Sequence, residues 1–196
     1  MLKNEILEEL VVASNIVYNK DLTPGKSGNL SCRYFDNGTE MVAITRTNIS
    51  KGMVTVEDII TVDMKGKILE GKGTPSSETF LHLGIYNKRK EINAVVHTHS
   101  PYATGFSMSG KDLKRLEGFG SIDNPYIPRV RYSKPGSSEL AKETAKRMAG
   151  ADAVILENHG VVTTGVNLSE AVLLAEFIED IAKTQFVAHA LNLKTE

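Results

Sequence analysis

Three histidines follow predicted strands and are the residues best suited to chemistry. His97 and His99 end the apolar, β-branched run at residues 92–96, and the two-residue period of a strand directs both imidazoles to one face. His159 follows a second apolar run, and Gly160 after it allows a sharp backbone turn. Three neutral imidazoles suit Zn²⁺ and leave a fourth position open. This pattern predicts a catalytic metal site; the alternative is a set of strand-end histidines bonded to backbone or water.

Three polar turns could bind the anionic part of a substrate. Residues 73–78 read Gly-Thr-Pro-Ser-Ser-Glu and enter a helix predicted over residues 76–88, where unpaired N–H groups and the helix dipole attract phosphate. Glu78 is then either a capping acid or the carboxylate of a site. The turns at residues 24–29 and 45–48 are also rich in hydroxyl, amide or glycine residues and could form an anion nest. The alternative for each turn is an ordinary connection.

Composition excludes several classes of partner. The 196 residues contain 23 Lys and Arg against 24 Asp and Glu, so no global field recruits nucleic acid or an anionic membrane. Cys32 is the only cysteine, which excludes an internal disulfide and fits a reducing compartment. No signal peptide or membrane span is predicted. We therefore expect one domain over residues 1–196, in the cytoplasm, with a small-molecule substrate.

Hydrophobic periodicity predicts alternating helices and strands. Strands are predicted at residues 29–35, 40–45, 59–64, 68–70, 92–96 and 153–156, with a hairpin turn at Asp36-Asn37-Gly38. Helices are predicted over residues 6–18, 76–88 and 137–149, and from Asn167, where Glu170 completes a capping box. The order predicts an α/β fold with three layers, in which helices flank a mixed, largely antiparallel central sheet.

Five short motifs in this order resemble the class II (zinc-dependent) aldolase family, also called the L-fuculose-1-phosphate aldolase family. They are Ser27-Gly28-Asn29-Leu30-Ser31, Thr45-Arg46-Thr47-Asn48, Pro75-Ser76-Ser77-Glu78, His97-Thr98-His99 and Asn158-His159-Gly160. The resemblance covers nearly the whole chain. Together the motifs are specific for the superfamily of aldolases, epimerases and adducin, and much less so for one substrate.

The resemblance implies a role for each matching residue. It makes His97, His99 and His159 zinc ligands, with Glu78 completing the resting metal site and acting as general base. It assigns the substrate phosphate to Gly28, Asn29, Thr47, Asn48, Ser76 and Ser77. It also implies a homotetramer with active sites at subunit interfaces. Manganese, cobalt or iron could occupy the same ligands in place of zinc.

The function implied is cleavage of a ketose 1-phosphate or deoxyketose 1-phosphate, such as L-fuculose 1-phosphate or 5-deoxyribulose 1-phosphate. The products are dihydroxyacetone phosphate and an aldehyde. One alternative keeps the metal and phosphate sites but performs dehydration of methylthioribulose 1-phosphate, 4-epimerisation of a pentulose phosphate, or decarboxylation of an oxo-acid phosphate. Another is a non-catalytic adducin-like domain without the zinc site, which the retained histidines and glutamate argue against.

Two departures from the family pattern bear on the substrate. Arg46 and Asn48 replace a proline and a glycine of the usual phosphate motif, and Arg46 is either an exposed strand-end residue or an extra anion contact. The tyrosines that protonate the leaving aldehyde in sugar-phosphate aldolases are not evident, because residues 113–119 contain none. Tyr126 and Tyr132 are the candidate substitutes, with loop or core packing as the alternative.

The remaining histidines and the lysines near the turns are expected to play no catalytic part. His82 and His189 fall within predicted helices and are interpreted as structural. Lys26, Lys51 and Lys72 are interpreted as solvated charges or weak phosphate contacts, because a metal-dependent aldolase needs no lysine nucleophile.

Overall fold

A computed structural model of the protein describes residues 3–116 and 124–192. The helices of these ranges are α1 Lys3–Asn19, α2 Thr79–Lys88, α3 Pro101–Ser109, α4 Ser138–Met148 and α5 Leu168–Leu191. The strands are β1 Asn29–Asp36, β2 Thr39–Thr45, β3 Ile59–Asp63, β4 Ile68–Glu70, β5 Ala94–Thr98, β6 Arg129–Val130, β7 Ala153–Leu156 and β8 Gly160–Gly165. Residues 113–119 are the stretch in which the expected family tyrosine is missing. Of these, residues 117–119 lie outside the described ranges.

The eight strands form one sheet in the order β4-β3-β2-β1-β5-β8-β7-β6. Neighbouring strands are antiparallel except for β6 and β7, which are parallel. The predicted mixed, largely antiparallel sheet is therefore confirmed. Helices α1 and α5 cover one face of the sheet and helices α2 and α4 cover the other.

The two faces of the sheet bury alternate residues of the same strand. Val96 of β5 packs into the cluster with α1 and α5, whereas its neighbour Val95 packs into the cluster with α2 and α4. This alternation follows from the two-residue period of a strand. A strand buried on both faces must be apolar throughout, which explains the unbroken run before His97 and confirms the three-layer prediction.

The hairpin between β1 and β2 has the predicted turn. Asp36 pairs with Thr39, and the two residues between them, Asn37 and Gly38, have φ angles of 48° and 78°. Both angles lie in the left-handed region that Asn and Gly tolerate best. The turn sets the register of the hairpin, and this register places the start of β1 beside the end of β2.

Several elements differ from the prediction. Helix α2 begins at Thr79 rather than at residue 76, because residues 76–78 form a turn in which the Ser76 hydroxyl accepts the Glu78 N–H at 3.2 Å. The sequence patterns did not predict α3, β6 or β8. Helix α3 is short and is held from outside, since the Glu179 carboxylate accepts the first N–H groups of the helix, those of Tyr102 and Ala103, at 2.9 Å each. Within the described ranges, no helix has both the length and the apolar character needed to cross a membrane.

Candidate metal centre

Strand pairing brings the predicted site residues to one edge of the sheet. Asn29, the first residue of β1, pairs with His97 near the end of β5, and His97 also pairs with Val162 of β8. The backbone N–H of His99 donates to the carbonyl of Leu22 at 2.9 Å. His159 lies in the tight connection between β7 and β8, so it returns to the same edge. The site is thus assembled from four separate parts of the chain.

The three histidines and Glu78 converge on one point. The Nε2 atoms of His97 and His99 are 2.9 Å apart, and the three rings have centroid separations of 4.8–4.9 Å. Glu78 Oε2 lies 3.1 Å from His97 Nε2, and Glu78 Oε1 lies 3.4 Å from His159 Nε2. A tetrahedral ion with bonds of about 2.0–2.1 Å has ligand atoms about 3.3 Å apart. These spacings fit a divalent metal ion, and the histidines form a group able to hold one.

The protonation of the imidazoles suits a metal ligand set. His97 Nδ1 lies 2.9 Å from the carbonyl of Val161, which fixes a hydrogen on Nδ1 and directs Nε2 into the site. Burial, followed by the charge of His97, lowers the pKa of His99 to about 3 and that of His159 to about 4. Glu78 Oε1 and His159 Nδ1 are buried without a hydrogen-bond partner. A cation would satisfy the orphaned carboxylate oxygen.

Glu78 is held as a carboxylate. Burial raises the pKa of this group, but the charges of His97 and His159, together with hydrogen bonds from His97 and Asn29, outweigh burial and hold the pKa well below its ordinary value. The Asn29 amide nitrogen donates to Glu78 Oε2 at 3.0 Å. In the same way, burial alone would lower the pKa of His97, and the Glu78 charge raises it instead. A buried carboxylate among imidazoles is a metal ligand or a base rather than a simple helix cap.

The role predicted for Gly160 is corrected. The left-handed residue in the connection is Asn158, with φ 55°, and its N–H donates to the Ser107 hydroxyl at 2.7 Å. A β-carbon at Gly160 would lie 2.2 Å from the carbonyl oxygen of Thr98 and 3.2 Å from the rings of His97 and His99. Gly160 is therefore required by the close approach of β8 to the histidine pair and not by the turn.

The three predicted phosphate turns are neighbours beside the metal donors. The Leu30 N–H donates to the Thr45 hydroxyl at 3.2 Å, which joins the first turn to the second. The Thr47 N–H donates to the carbonyl of Thr74 at 3.1 Å, which joins the second turn to the third. Gly28 has φ 71°, and a β-carbon there would lie 2.6 Å from the carbonyl oxygen of His97. The six predicted phosphate residues lie in these three turns; Asn29 and Ser76 are buried, Gly28 and Thr47 are half-buried, and Asn48 and Ser77 are exposed.

The two departures from the phosphate motif have structural explanations. Asn48 has φ 60°, so asparagine occupies a left-handed position where the family pattern has glycine. The Arg46 side chain is neither free nor aimed only at solvent, because its Nε donates to Asp58 Oδ1 at 2.6 Å. Asp58 offsets the charge of Arg46. The Arg46 side chain is half-exposed at the edge of the phosphate turns.

The prediction of Lys51 as a solvated charge was wrong, whereas its alternative, a weak phosphate contact, stays a prediction. Its side chain is 1% exposed, and Nζ donates to the carbonyl of Ile49 at 2.9 Å. Burial, followed by the charge of Arg46, lowers the pKa of Lys51 to about 8. Its charge also contributes to lowering the pKa of His99. No sequence pattern indicated this burial, because the lysine lies in a short 3-10 turn, Lys51–Met53, that has no periodicity.

The two candidate tyrosines lie at opposite ends of strand β6. Tyr132 follows β6, and its N–H donates to Glu157 Oε2 at 3.3 Å, close to the loop that carries His159. Tyr126 precedes β6 and forms an isolated bridge with Lys114. Because β6 runs parallel to β7, residues after β6 lie at the edge where His159 lies. The geometry favours Tyr132 over Tyr126 as a residue near the metal donors.

The sequence indicated a structural role for both His82 and His189. The structure connects His82 to the site but does not connect His189 to it. His82 is fully buried on α2, and its Nε2 lies 2.6 Å from Asn29 Oδ1. The signal available in the sequence was its position four residues after Glu78, which places it one helical turn further on. His189 is exposed near the end of α5 and bonds to the carbonyl of Gln185 at 2.6 Å.

Comparisons with known proteins match both the fold and the motifs. Residues 8–186 match the model of the class II aldolase and adducin N-terminal domain. An L-fuculose phosphate aldolase from Methanococcus maripaludis is 37% identical over 188 residues, covering 96% of this chain and 99% of that protein. A 3-oxo-tetronate 4-phosphate decarboxylase from Haemophilus influenzae is 34% identical over 197 aligned positions, covering 95% of this chain and 90% of that protein.

Solved structures give the same assignment. An L-fuculose 1-phosphate aldolase superposes with a TM-score of 0.89 at 32% identity, covering 100% of this chain and 91% of that one. The likeness therefore extends through all three layers and includes the strands that carry the histidines. The chain belongs to the class II aldolase and adducin N-terminal domain family, and it is a lyase of that family.

Proposed function

We propose that this protein is a zinc-dependent aldolase that cleaves a ketose 1-phosphate or deoxyketose 1-phosphate into dihydroxyacetone phosphate and an aldehyde. The observation that carries the proposal is the convergence of His97, His99, His159 and Glu78, in which three donor pairs are 2.9–3.4 Å apart and the histidine donors all lie within 4.8 Å of one another. The names of the relatives support the substrate class. The complete donor set argues against an adducin-like domain that has lost the site.

When bound, the divalent ion polarises the carbonyl and hydroxyl oxygens of the substrate and so assists cleavage between C3 and C4. The residues of this chain supply binding and proton transfer. Glu78 is ionised, buried and within reach of the same point as the imidazoles, so it can accept and return a proton at C3. The Asn29 amide holds Glu78 Oε2 at 3.0 Å and thereby sets the direction of the carboxylate.

The phosphate is assigned to the three joined turns next to Glu78. Their backbone N–H groups and the hydroxyls of Thr47, Ser76 and Ser77 are donors of the kind that bind phosphate oxygens. Two cations stand nearby, Arg46 and the buried Lys51. The contribution of this pocket is orientation, because anchoring the phosphate determines which carbonyl and hydroxyl oxygens reach the histidines.

The acid–base group at the aldehyde oxygen is assigned to Tyr132. Its backbone is tied to Glu157, two residues before His159, and its side chain is 58% exposed and free to meet a substrate. In condensation a phenol in this place can donate a proton to the alkoxide formed from the aldehyde carbonyl, and in cleavage the phenolate takes the same proton from the C4 hydroxyl. Tyr126 is at the other end of β6 and is assigned no role.

Decarboxylation of an oxo-acid phosphate is the second candidate function. One relative with 34% identity is named a 3-oxo-tetronate 4-phosphate decarboxylase. Lys51 also favours a substrate with a second anionic group, because it has no carboxylate partner within the described ranges, whereas Arg46 is paired with Asp58. Aldol cleavage is preferred because relatives named L-fuculose phosphate aldolase reach higher identity, 37% over nearly the full chain.

The assembly and location are proposed on the resemblance to the same family. We take residues 1–196 as one domain that acts in the cytoplasm as a homotetramer with sites at its interfaces. Exposed apolar side chains on α1 and α5, among them Val12, Ile16 and Leu173, support burial against a second subunit. Sedimentation equilibrium tests this, since a monomer at micromolar concentration would contradict the tetramer.

The experiment that tests the function measures release of dihydroxyacetone phosphate from a panel of ketose 1-phosphates. Release is coupled to NADH oxidation by glycerol-3-phosphate dehydrogenase, with and without a chelator. We expect release that stops with chelator and returns with zinc. Zinc-loaded, folded protein that releases no product from any member would overturn the aldolase assignment. Carbon dioxide release from 3-oxo-tetronate 4-phosphate would then identify the second candidate.

A further inference from the structure

A line of buried hydrogen bonds connects Glu78 to the core behind the site. Asn29 Nδ2 donates to Glu78 Oε2 at 3.0 Å, and Asn29 Oδ1 lies 2.6 Å from His82 Nε2. His82 Nδ1 lies 2.7 Å from the Ser31 hydroxyl, which lies 2.8 Å from the Tyr86 hydroxyl. All five side chains are buried, and those of Ser31, His82 and Tyr86 have no exposed surface.

The chemistry of the groups allows one direction for these bonds. The Asn29 nitrogen lies against Glu78 Oε2 and its oxygen against His82 Nε2, which is the orientation that a carboxylate acceptor requires of the amide. His82 Nε2 must then carry the hydrogen. Burial, and then the charge of His97, lowers the pKa of His82 to about 3, so the ring is neutral and Nδ1 is an acceptor. The Ser31 hydroxyl donates to that atom.

The line is anchored at its far end. The Tyr86 hydroxyl also lies 3.0 Å from the backbone carbonyl of Ser31, within β1. His82 is one helical turn after Glu78, and its N–H lies 3.3 Å from the Glu78 carbonyl. Helix α2 therefore positions both the carboxylate and the imidazole that reaches it through Asn29. The sheet supplies Asn29 and Ser31 from alternate positions of β1.

Stability does not explain this arrangement well. Burying an imidazole, an amide and two hydroxyls costs free energy that apolar side chains of similar volume would not cost. A fully satisfied polar network does, however, fix one orientation of each group. The group whose orientation matters is Asn29, since a rotated amide would turn its oxygen toward the carboxylate oxygen of Glu78.

We propose that His82 is a positioning residue that sets the direction of the Glu78 carboxylate by holding the Asn29 amide in one orientation. Its Nε2–H fixes Asn29 Oδ1, which turns one N–H of the amide to Glu78. The other N–H has no acceptor within the described ranges and is available to the substrate. Asn29 thus links the base to the bound substrate. This inference deepens the proposed function and rests on Glu78 being its base.

The kinetic test is a double-mutant cycle between His82 and Asn29. We expect His82→Leu to lower kcat about tenfold or more, with KM changed by a few-fold at most and zinc content unchanged. If His82 acts through Asn29, His82→Leu in an Asn29→Ala background should cause little further loss. His82→Gln keeps a donor for Asn29, so it should recover most of the lost kcat. His189→Leu is the matched control at an exposed histidine and should retain wild-type kcat.

A spectroscopic readout tests the same inference without turnover. Long-range ¹⁵N–¹H spectra of the wild-type protein, zinc-free and zinc-loaded, should show His82 as the neutral tautomer with hydrogen on Nε2. The side-chain amide signals of Asn29 should shift in His82→Leu. These spectra, with His82→Gln, carry the test should His82→Leu fail to fold.

Three results would overturn the inference: hydrogen on Nδ1 of His82, a folded His82→Leu protein with wild-type kcat, or kcat losses that multiply in the double variant. Failure of the proposed function looks different. In that case wild-type protein releases no dihydroxyacetone phosphate from any ketose phosphate, while the tautomer and the Asn29 amide signals still report whether His82 holds the amide.

Discussion

Asn29 and His97 face each other across the antiparallel pair of β1 and β5. The Asn29 side chain reaches Glu78 and the His97 side chain is a proposed metal donor, so a single register position joins the carboxylate, the amide and the imidazoles. A slip of one residue would turn each side chain to the other face of the sheet. The register of β1 against β5 is therefore part of the proposed active site.

Removal of a single imidazole should abolish metal binding. We expect His97→Ala to reduce bound zinc from about one equivalent per chain to a small fraction, because two imidazoles and a carboxylate hold the ion far less tightly. Atomic absorption after dialysis measures the content. His189→Ala is the control, since that histidine is exposed near the end of α5. Full zinc occupancy in folded His97→Ala would contradict the ligand assignment.

Glu78→Gln should separate metal binding from catalysis. The amide keeps the size of the side chain but can no longer accept a proton, so we expect most of the zinc to remain while kcat falls about 100-fold or more. Zinc content and steady-state turnover on the same preparation decide the matter. A Glu78→Gln protein with wild-type kcat would remove Glu78 from the role of base.

Gly160→Ala should disturb the metal donors through packing alone. The added β-carbon would lie 2.2 Å from the Thr98 carbonyl oxygen, and we expect a loss of about 1–3 kcal/mol in the free energy of unfolding together with weaker zinc binding. Gly105→Ala is the matched control. No atom lies within 4 Å of a β-carbon there, so alanine in α3 should stabilise the protein by about 0.5–1 kcal/mol. Equal effects of the two substitutions would contradict this reading.

Lys51 should make stability depend on pH above neutrality. Its pKa is about 8 in the folded protein and 10.5 in the unfolded chain, so between these values the unfolded state binds more protons and folding stability rises with pH. The full rise is of the order of 3 kcal/mol. Lys51→Met should lack this rise and be more stable than wild type at pH 7.

Urea unfolding at pH 7 and pH 10 measures this effect of Lys51. Lys72→Met, at an exposed lysine, corrects for other groups that titrate in the same range. A Lys51→Met protein that unfolds at a lower urea concentration than wild type at pH 7 would show that the buried ammonium is stabilising, contrary to this expectation.

Tyr132→Phe tests the acid–base group at the aldehyde oxygen. We expect kcat to fall about 100-fold with zinc content unchanged, because the phenol contributes only when the proton of the C4 hydroxyl is transferred. Tyr126→Phe is the control at the opposite end of β6 and should keep wild-type kcat. If the two variants have equal activity, the proton comes from another group.

The local pattern of the sequence determined much of the fold. Apolar runs on both faces of β5 and β7 predicted buried strands, and Asn37-Gly38 predicted the hairpin turn, because these signals depend only on near neighbours in the chain. His97 and His99 were predicted to converge for the same reason, since one strand positions both. The missed elements were α3, β6 and β8. Each is short or held by residues far away, as Glu179 holds α3.

Only the tertiary structure decided the environment of individual side chains. By its local pattern alone Glu78 is more readily a helix cap than a site carboxylate, and only the fold places its Oε2 atom 3.1 Å from His97 Nε2. No sequence pattern indicated that Lys51 is buried, and the spacing of His82 from Glu78 did not show that it reaches the carboxylate through Asn29. Periodicity reports which face of an element is apolar. It does not report which distant residues meet there, and burial, pKa and hydrogen bonding all depend on that meeting.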